Sequence, residues 1–98
     1  MAYKVIIKDE TTLDTEIAYD YYENIREGLG EIFLQELVKK YEALSSNPQH
    51  YGFTNYQRDY RSTKIDRFPY IIVFEVIGDS VIVHAVNNIH KHRKKRLP

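Results

Sequence analysis

The residues best equipped for chemistry lie at the end of the chain. His90-Lys91-His92-Arg93-Lys94-Lys95-Arg96 sets five Lys or Arg beside two His and no acid. Such a run attracts phosphate-rich or acidic partners, and without one it is a solvated tail. His90 and His92 could meet one metal ion from an extended segment, but a stable site needs a third ligand that their neighbourhood lacks, so no metal is expected. The chain has no cysteine, which excludes disulfides and thiolate metal sites. His84, set among Val and Ile, reads as a hydrogen-bonded core residue. Tyr19, Tyr21 and Tyr22 read as core and rim packing with a polar tip.

Side chains of this kind need a frame, and the best-specified frame runs from Arg67 to Asn88. Two Val/Ile-rich runs, Ile71 to Ile77 and Val81 to Val86, flank Gly78-Asp79-Ser80 and predict a β-hairpin. Along the first strand Tyr70, Ile72, Phe74 and Val76 share one face, and Ile71, Val73 and Glu75 the other. Both faces are mostly apolar, so cover is expected on both, from the chain's own helices or from a partner chain.

Before the hairpin, Tyr3 to Lys8 reads as a strand. Thr11 or Thr12 is placed to cap a helix, with Asp14 and Glu16 in its first turn. Leu13, Ile17, Tyr21 and Ile25 recur at helical spacing, broadened by Ala18 and Tyr22, and form its expected core stripe. Gly28-Leu29-Gly30 breaks this helix. A second stripe of Leu29, Phe33, Leu37, Val38, Tyr41 and Leu44 follows, so the two helices form an antiparallel hairpin that Asn47-Pro48 stops. His50 to Arg58 reads as a short strand or irregular segment, and Tyr60 to Ile65 as a strand. The expected class is α+β: an N-terminal strand, a helical hairpin, then a mainly antiparallel sheet of three to four strands.

Ninety-eight residues suffice for one domain, expected over 1–98 with residues 90–98 as a basic tail. No apolar run approaches the roughly 18 residues of a membrane span, and no basic-then-apolar leader opens the chain, so a cytoplasmic location is the default. The zero net charge hides segregation. Residues 9–42 hold ten acids against three bases, whereas residues 43–98 hold nine bases against four acids.

With the element order in place, a family resemblance emerges. Tyr19-Asp20-Tyr21-Tyr22, Gly28-Leu29-Gly30 followed by Phe33, Asn47-Pro48, Arg61 seven residues before Phe68-Pro69-Tyr70, and an apolar hairpin ending in a basic tail together resemble the RelE/ParE superfamily of toxins. The ParE, or plasmid-stabilisation, branch looks closer. The resemblance covers nearly the whole chain and implies a cytoplasmic bacterial toxin wrapped by a co-encoded antitoxin, as a homodimer or a heterotetramer with it. ParE-like members poison DNA gyrase, and RelE-like members cut messenger RNA on the ribosome. A third reading is an antitoxin-binding protein of weak or lost toxicity.

The resemblance also assigns roles. An RNA-cleaving member needs a base, an acid and cations aimed at phosphate. Arg61 and Arg67 would stabilise charge, and His90, His92, Lys91 or a Tyr would carry protons, provided the strand at 60–65 lies beside the end of the hairpin. Asn88 stands where many relatives carry His, and the chain ends Arg96-Leu97-Pro98, both departures from the nuclease pattern. A ParE-like activity needs only a binding surface, expected at Arg61, Lys91, Arg93, Lys94, Lys95 and Arg96. Neither reading requires a cofactor. The antitoxin is expected to bring an acidic, amphipathic segment to the basic end.

Overall fold

The computed structural model describes residues 2–55 and 59–90. Strand β1 (Lys4–Ile7) leads into α1 (Asp9–Ile25) and α2 (Leu29–Ser46), followed by a 3-10 turn at Pro48–His50. Then come β2 (Phe53–Asn55), β3 (Tyr60–Lys64), β4 (Tyr70–Ile77) and β5 (Ser80–Asn88). Among the described residues the strands form one sheet in the order β1-β5-β4-β3-β2. The predicted hairpin supplies the two central strands, and β2 through β5 pair antiparallel. β1 adds to the outer side of β5 in parallel. Local patterning could not foresee that pairing, because the helical hairpin is itself the crossover that makes it possible.

The helices lie on one face of this sheet. Ile72 and Phe74 of β4 join Val81, Val83 and Val86 of β5 beneath Ala18, Tyr22, Phe33, Leu37 and Leu44. Between Val83 and Ala85 the register slips by one residue, so that His84 has no partner on β4. This β-bulge turns His84 and Ala85 to the same side, away from the helices. His84 is hydrogen-bonded as expected, but on the open face and not in the core.

Helix α1 departs from expectation in two ways. It starts at Asp9 with Lys8 as an N-cap that makes no side-chain bond, so neither threonine caps it. Thr11 is instead fully buried and donates its hydroxyl to the Val83 carbonyl at 3.3 Å. More consequentially, the expected core stripe faces out: Leu13 and Ile17 are 57% exposed, and Tyr21 and Ile25 58%. Thr11, Ala18 and Tyr22 face the sheet. Small residues on the inward side let the helix backbone approach β5, and Tyr22 then reaches the aromatic cluster beneath α2. In α2 the expected stripe is largely inward, with Val38 its exposed exception.

The helical hairpin closes on Glu23. Its two carboxylate oxygens accept from the Gly28 and Gly30 amides at 3.0 Å each, so a side chain of α1 satisfies the first turn of α2. Gly28 adopts φ of 89°, a left-handed conformation that favours glycine. A Cβ on Gly30 would stand 2.9 Å from the Tyr19 ring and from Glu23 Oε1. Gly30→Ala is therefore expected to cost about 1–3 kcal/mol by overpacking, and Glu23→Ala about 1 kcal/mol by loss of the cap, both read from urea unfolding.

Burial raises the Tyr22 and Tyr41 hydroxyls from 10.0 to about 12, helped at Tyr22 by Tyr70 and Tyr21. The unfolded chain then loses these protons first, so stability should be level below pH 10 and fall between about pH 10 and 12. Among the described residues Tyr41 Oη has no hydrogen-bond partner. Tyr41→Phe should thus keep or raise the neutral-pH melting temperature and flatten the alkaline fall, whereas a loss above about 1 kcal/mol would reveal a partner.

Candidate functional site

Arg61, the second residue of β3, stands opposite Phe74 on the helix-facing side of the sheet. Its guanidinium donates to the Tyr51 carbonyl at 2.7 Å and to the Gln49 carbonyl at 3.4 Å, and its Cζ lies 4.0 Å over the Phe53 ring. A planar cation with several donors can serve all three contacts at once. Arg61 thus pins the turn after α2 to the sheet edge.

Arg67 lies in the β3–β4 turn with φ of 75°, and its guanidinium approaches Glu36 of α2 at 3.8 Å. His90 follows β5, its amide bonded to the Asn88 side chain at 2.9 Å. Lys91, Arg93, Lys94, Lys95 and Arg96 lie outside the described residues. Strand β4 separates β3 from β5. Arg61 opposes Phe74, while Asn88 opposes Tyr70 four residues away, roughly 13 Å along the strand at ~3.3 Å per residue. The expected meeting of Arg61 with the end of the hairpin does not occur among the described residues. Their cations have separate partners and do not surround one reacting atom.

Two charged surfaces emerge instead. The first gathers at the β3–β4 turn. Glu36, only 6% exposed, is flanked by Lys39 at 3.2 Å and Arg67 at 3.8 Å, both cations being largely in solvent. Lys64 Nζ donates to the Ile65 and Phe68 carbonyls at 3.1 Å each, and Lys40 lies 3.9 Å from Asp66. The Ile89 amide bonds the Pro69 carbonyl at 2.8 Å, so the basic run begins beside this turn.

The second surface is the outer side of the helical hairpin. Leu13, Ile17, Tyr21 and Ile25, four residues apart, form an exposed apolar ridge. Beside it a groove of about 410 Å³ runs between α1 and α2, lined by Thr15, Glu16, Tyr19, Asp20, Glu31 and Leu34. Its negative field is felt by Tyr19, whose hydroxyl is raised above its ordinary range, chiefly by Glu23, then by burial, Glu31 and Asp20. Sequence reasoning assigned this ridge to the core. The available signal was a competing inward set, Thr11, Ala18 and Tyr22, whose small members permit close packing. Among the described residues no group of three or more His, Asp or Glu could hold a metal ion, and no helix is long and apolar enough to cross a membrane.

Arg61→Lys keeps the charge but cannot reproduce the two carbonyl bonds and the ring contact together. It is expected to cost about 1–2 kcal/mol and to speed hydrogen exchange across residues 48–55. A variant with wild-type stability and exchange would remove the structural role of Arg61.

The family model described as "ParE toxin of type II toxin-antitoxin system, parDE" matches residues 5–94. Among solved structures, a chain of the "Chromosomal ParDE TA system from P. aeruginosa" superposes with a TM-score of 0.79 at 16% identity, covering 90% of this chain and 97% of that one. No curated protein matches.

Proposed function

The chain belongs to the ParE toxin family of type II toxin-antitoxin systems, and from that premise we propose that it is a toxin held inactive by a co-encoded antitoxin and acting on DNA gyrase. The observation that carries this reading is the division of its surface into an apolar ridge with an acidic border and a separate basic end, without a converged acid/base pair among the described residues. Such surfaces suit binding, and the described residues bring no acid/base pair to one phosphate. The distance of Arg61 from the end of β5, four residues along β4, weighs against RelE-like cleavage of messenger RNA.

The two surfaces ask different things of an antitoxin. At α1 it has to offer apolar anchors at four-residue spacing with Lys or Arg beside them, to meet Asp14, Asp20 and Glu16. An acidic stretch suits only the other end, where Lys39 and Arg67 stand exposed next to the start of the basic run. Burying four large side chains that are each more than half exposed gives the antitoxin several kcal/mol to draw on, at roughly 1.5–3 kcal/mol per fully buried side chain. The target would meet the basic end, where Lys91, Arg93, Lys94, Lys95 and Arg96 follow His90 in sequence.

Induction of the chain alone in bacteria tests the activity. The expected result is growth arrest with double-strand breaks and altered DNA supercoiling while messages stay intact. Codon-phased message cleavage lost in Arg61→Ala would establish the nuclease instead, and normal growth an inert antitoxin-binding protein. For the partner, Ile17→Asp should weaken capture of the co-encoded antitoxin at least ~100-fold, the loss of about 3 kcal/mol, and should leave toxicity in place. Addition of the antitoxin should raise the wild-type melting temperature.

A further inference from the structure

Arg67 holds a backbone that its residue type does not favour. Its φ of 75° lies in the left-handed region, where Gly, Asn and Asp are accepted and a long side chain is strained. The other non-glycine residue there among the described ones, Asp59 at φ of 57°, is of an accepted type. Such strain gathers at ligand clamps and other functional positions. Within the chain, however, the Arg67 guanidinium is little engaged. Among the described residues it makes no hydrogen bond, only the 3.8 Å approach to Glu36, and its side chain is 66% exposed.

Its neighbours extend the arrangement. Lys39, with a side chain 64% exposed, lies 3.2 Å from the same carboxylate, so one buried acid holds two cations side by side and leaves most of their donors in solvent. Asp66, the other acid in contact with this cluster, is answered by Lys40. The five Lys or Arg of residues 91–96 follow in sequence from Ile89, whose amide is bonded to the Pro69 carbonyl, two residues beyond Arg67. We propose that this end of the sheet holds the phosphodiester backbone of duplex DNA, with Arg67 and Lys39 as its phosphate contacts.

The partner follows from what the surface lacks as well as from what it presents. A protein partner draws most of its affinity from large side chains packed in the centre of the interface, and at this turn Ile65 and Phe68 are 0% and 5% exposed, already in the core. Duplex DNA needs no apolar anchor, because neutralised phosphates release counterions and that release supplies the affinity. Arg meets a phosphate through two parallel donors, and Lys as a point charge. DNA also carries one charge per roughly 1.7 Å of its axis, denser than an extended acidic peptide at ~3.3 Å per residue. An acidic stretch therefore competes for these cations without surpassing DNA. Zero net charge does not oppose the contact: physiological salt screens charges beyond roughly 8 Å, and the acids beside the α1 ridge belong to a separate surface. The inference deepens the reading of the basic end as the surface that meets the target, and rests on that reading for the place of contact.

Fluorescence anisotropy of a short labelled DNA duplex of arbitrary sequence, titrated with the full chain across a salt series, tests it. The expected Kd is on the order of 1–100 µM at physiological salt, independent of sequence and weakening steeply as salt rises. Arg67→Gly removes the cation at a φ that glycine accepts, so the melting temperature should hold or rise while DNA affinity falls at least ~3-fold and the salt slope flattens by about 1. Lys39→Ala should change affinity and slope in the same way. Lys4→Ala removes equal charge beside the β4–β5 turn, at the opposite end of β4, and should leave both unchanged. Lost stability in Arg67→Gly with DNA binding intact would overturn the proposal and leave Arg67 a structural partner of Glu36. So would an equal effect of Lys4→Ala, tighter binding of polyglutamate or of an RNA duplex of the same sequence, or no DNA binding up to ~1 mM, well above the expected range. Growth arrest with DNA breaks in a chain that fails this assay would leave the gyrase reading standing, whereas DNA binding by a non-toxic chain would leave this contact standing.

Discussion

Everything in this fold hangs on four rings. Tyr22 of α1, Phe33 of α2, Phe68 of the β3–β4 turn and Tyr70 of β4 meet with centroids 4.8–6.1 Å apart, mostly edge to face. Together they join both helices, the turn and the central strand. Edge-to-face rings add direction to apolar burial, and direction matters where one helical hairpin is the sheet's only described cover. Tyr22 must point at Phe68 and Tyr70, and that requirement sets the rotation of α1 about its axis. Leu13, Ile17 and Tyr21 follow from it, carried outward by the same turn of the helix.

The exposed ridge is thus a consequence of core packing, while its acidic border comes from segregation of charge along the chain. Ten acids lie in the stretch that forms the helices, and the bases dominate the stretch that forms the sheet and its end. Folding converts this linear division into a spatial one, with an acidic hairpin on one side and Lys39, Lys64 and Arg67 gathered at the β3–β4 turn. Lys39 and Arg67 come from distant parts of the sequence and share Glu36, which fixes the basic end against α2.

Much of the site was legible before folding, but in pieces. Arg61 and Arg67 stood out as cations beside an apolar hairpin, and the structure gives each guanidinium its own partner, the Tyr51 and Gln49 carbonyls for Arg61 and Glu36 for Arg67. Arg61 looked available because local sequence does not reveal the Tyr51 and Gln49 carbonyls that engage its Nη1. The group that His84 forms with Glu75 and Tyr60 was illegible for a different reason. It depends on a bulge that shifts the alternation by one residue, and period-two reasoning assumes an unbroken strand.

By itself the sequence determined the order of elements, the β4–β5 hairpin as centre, the stop at Asn47-Pro48 and the two apolar faces of the sheet. These follow from period, turn residues and proline, all of which act over a few neighbours. Only the tertiary structure decided that β1 would join β5 in parallel and that α1 would bury Ala18 and Tyr22 in place of Leu13 and Ile17. It also decided that Arg61 would hold the turn after α2 to the sheet. Each of these is a choice between alternatives of similar local energy, made by contacts between residues far apart in the chain: the Val83 carbonyl with Thr11, the ring of Tyr70 with Tyr22, the carbonyl of Tyr51 with Arg61.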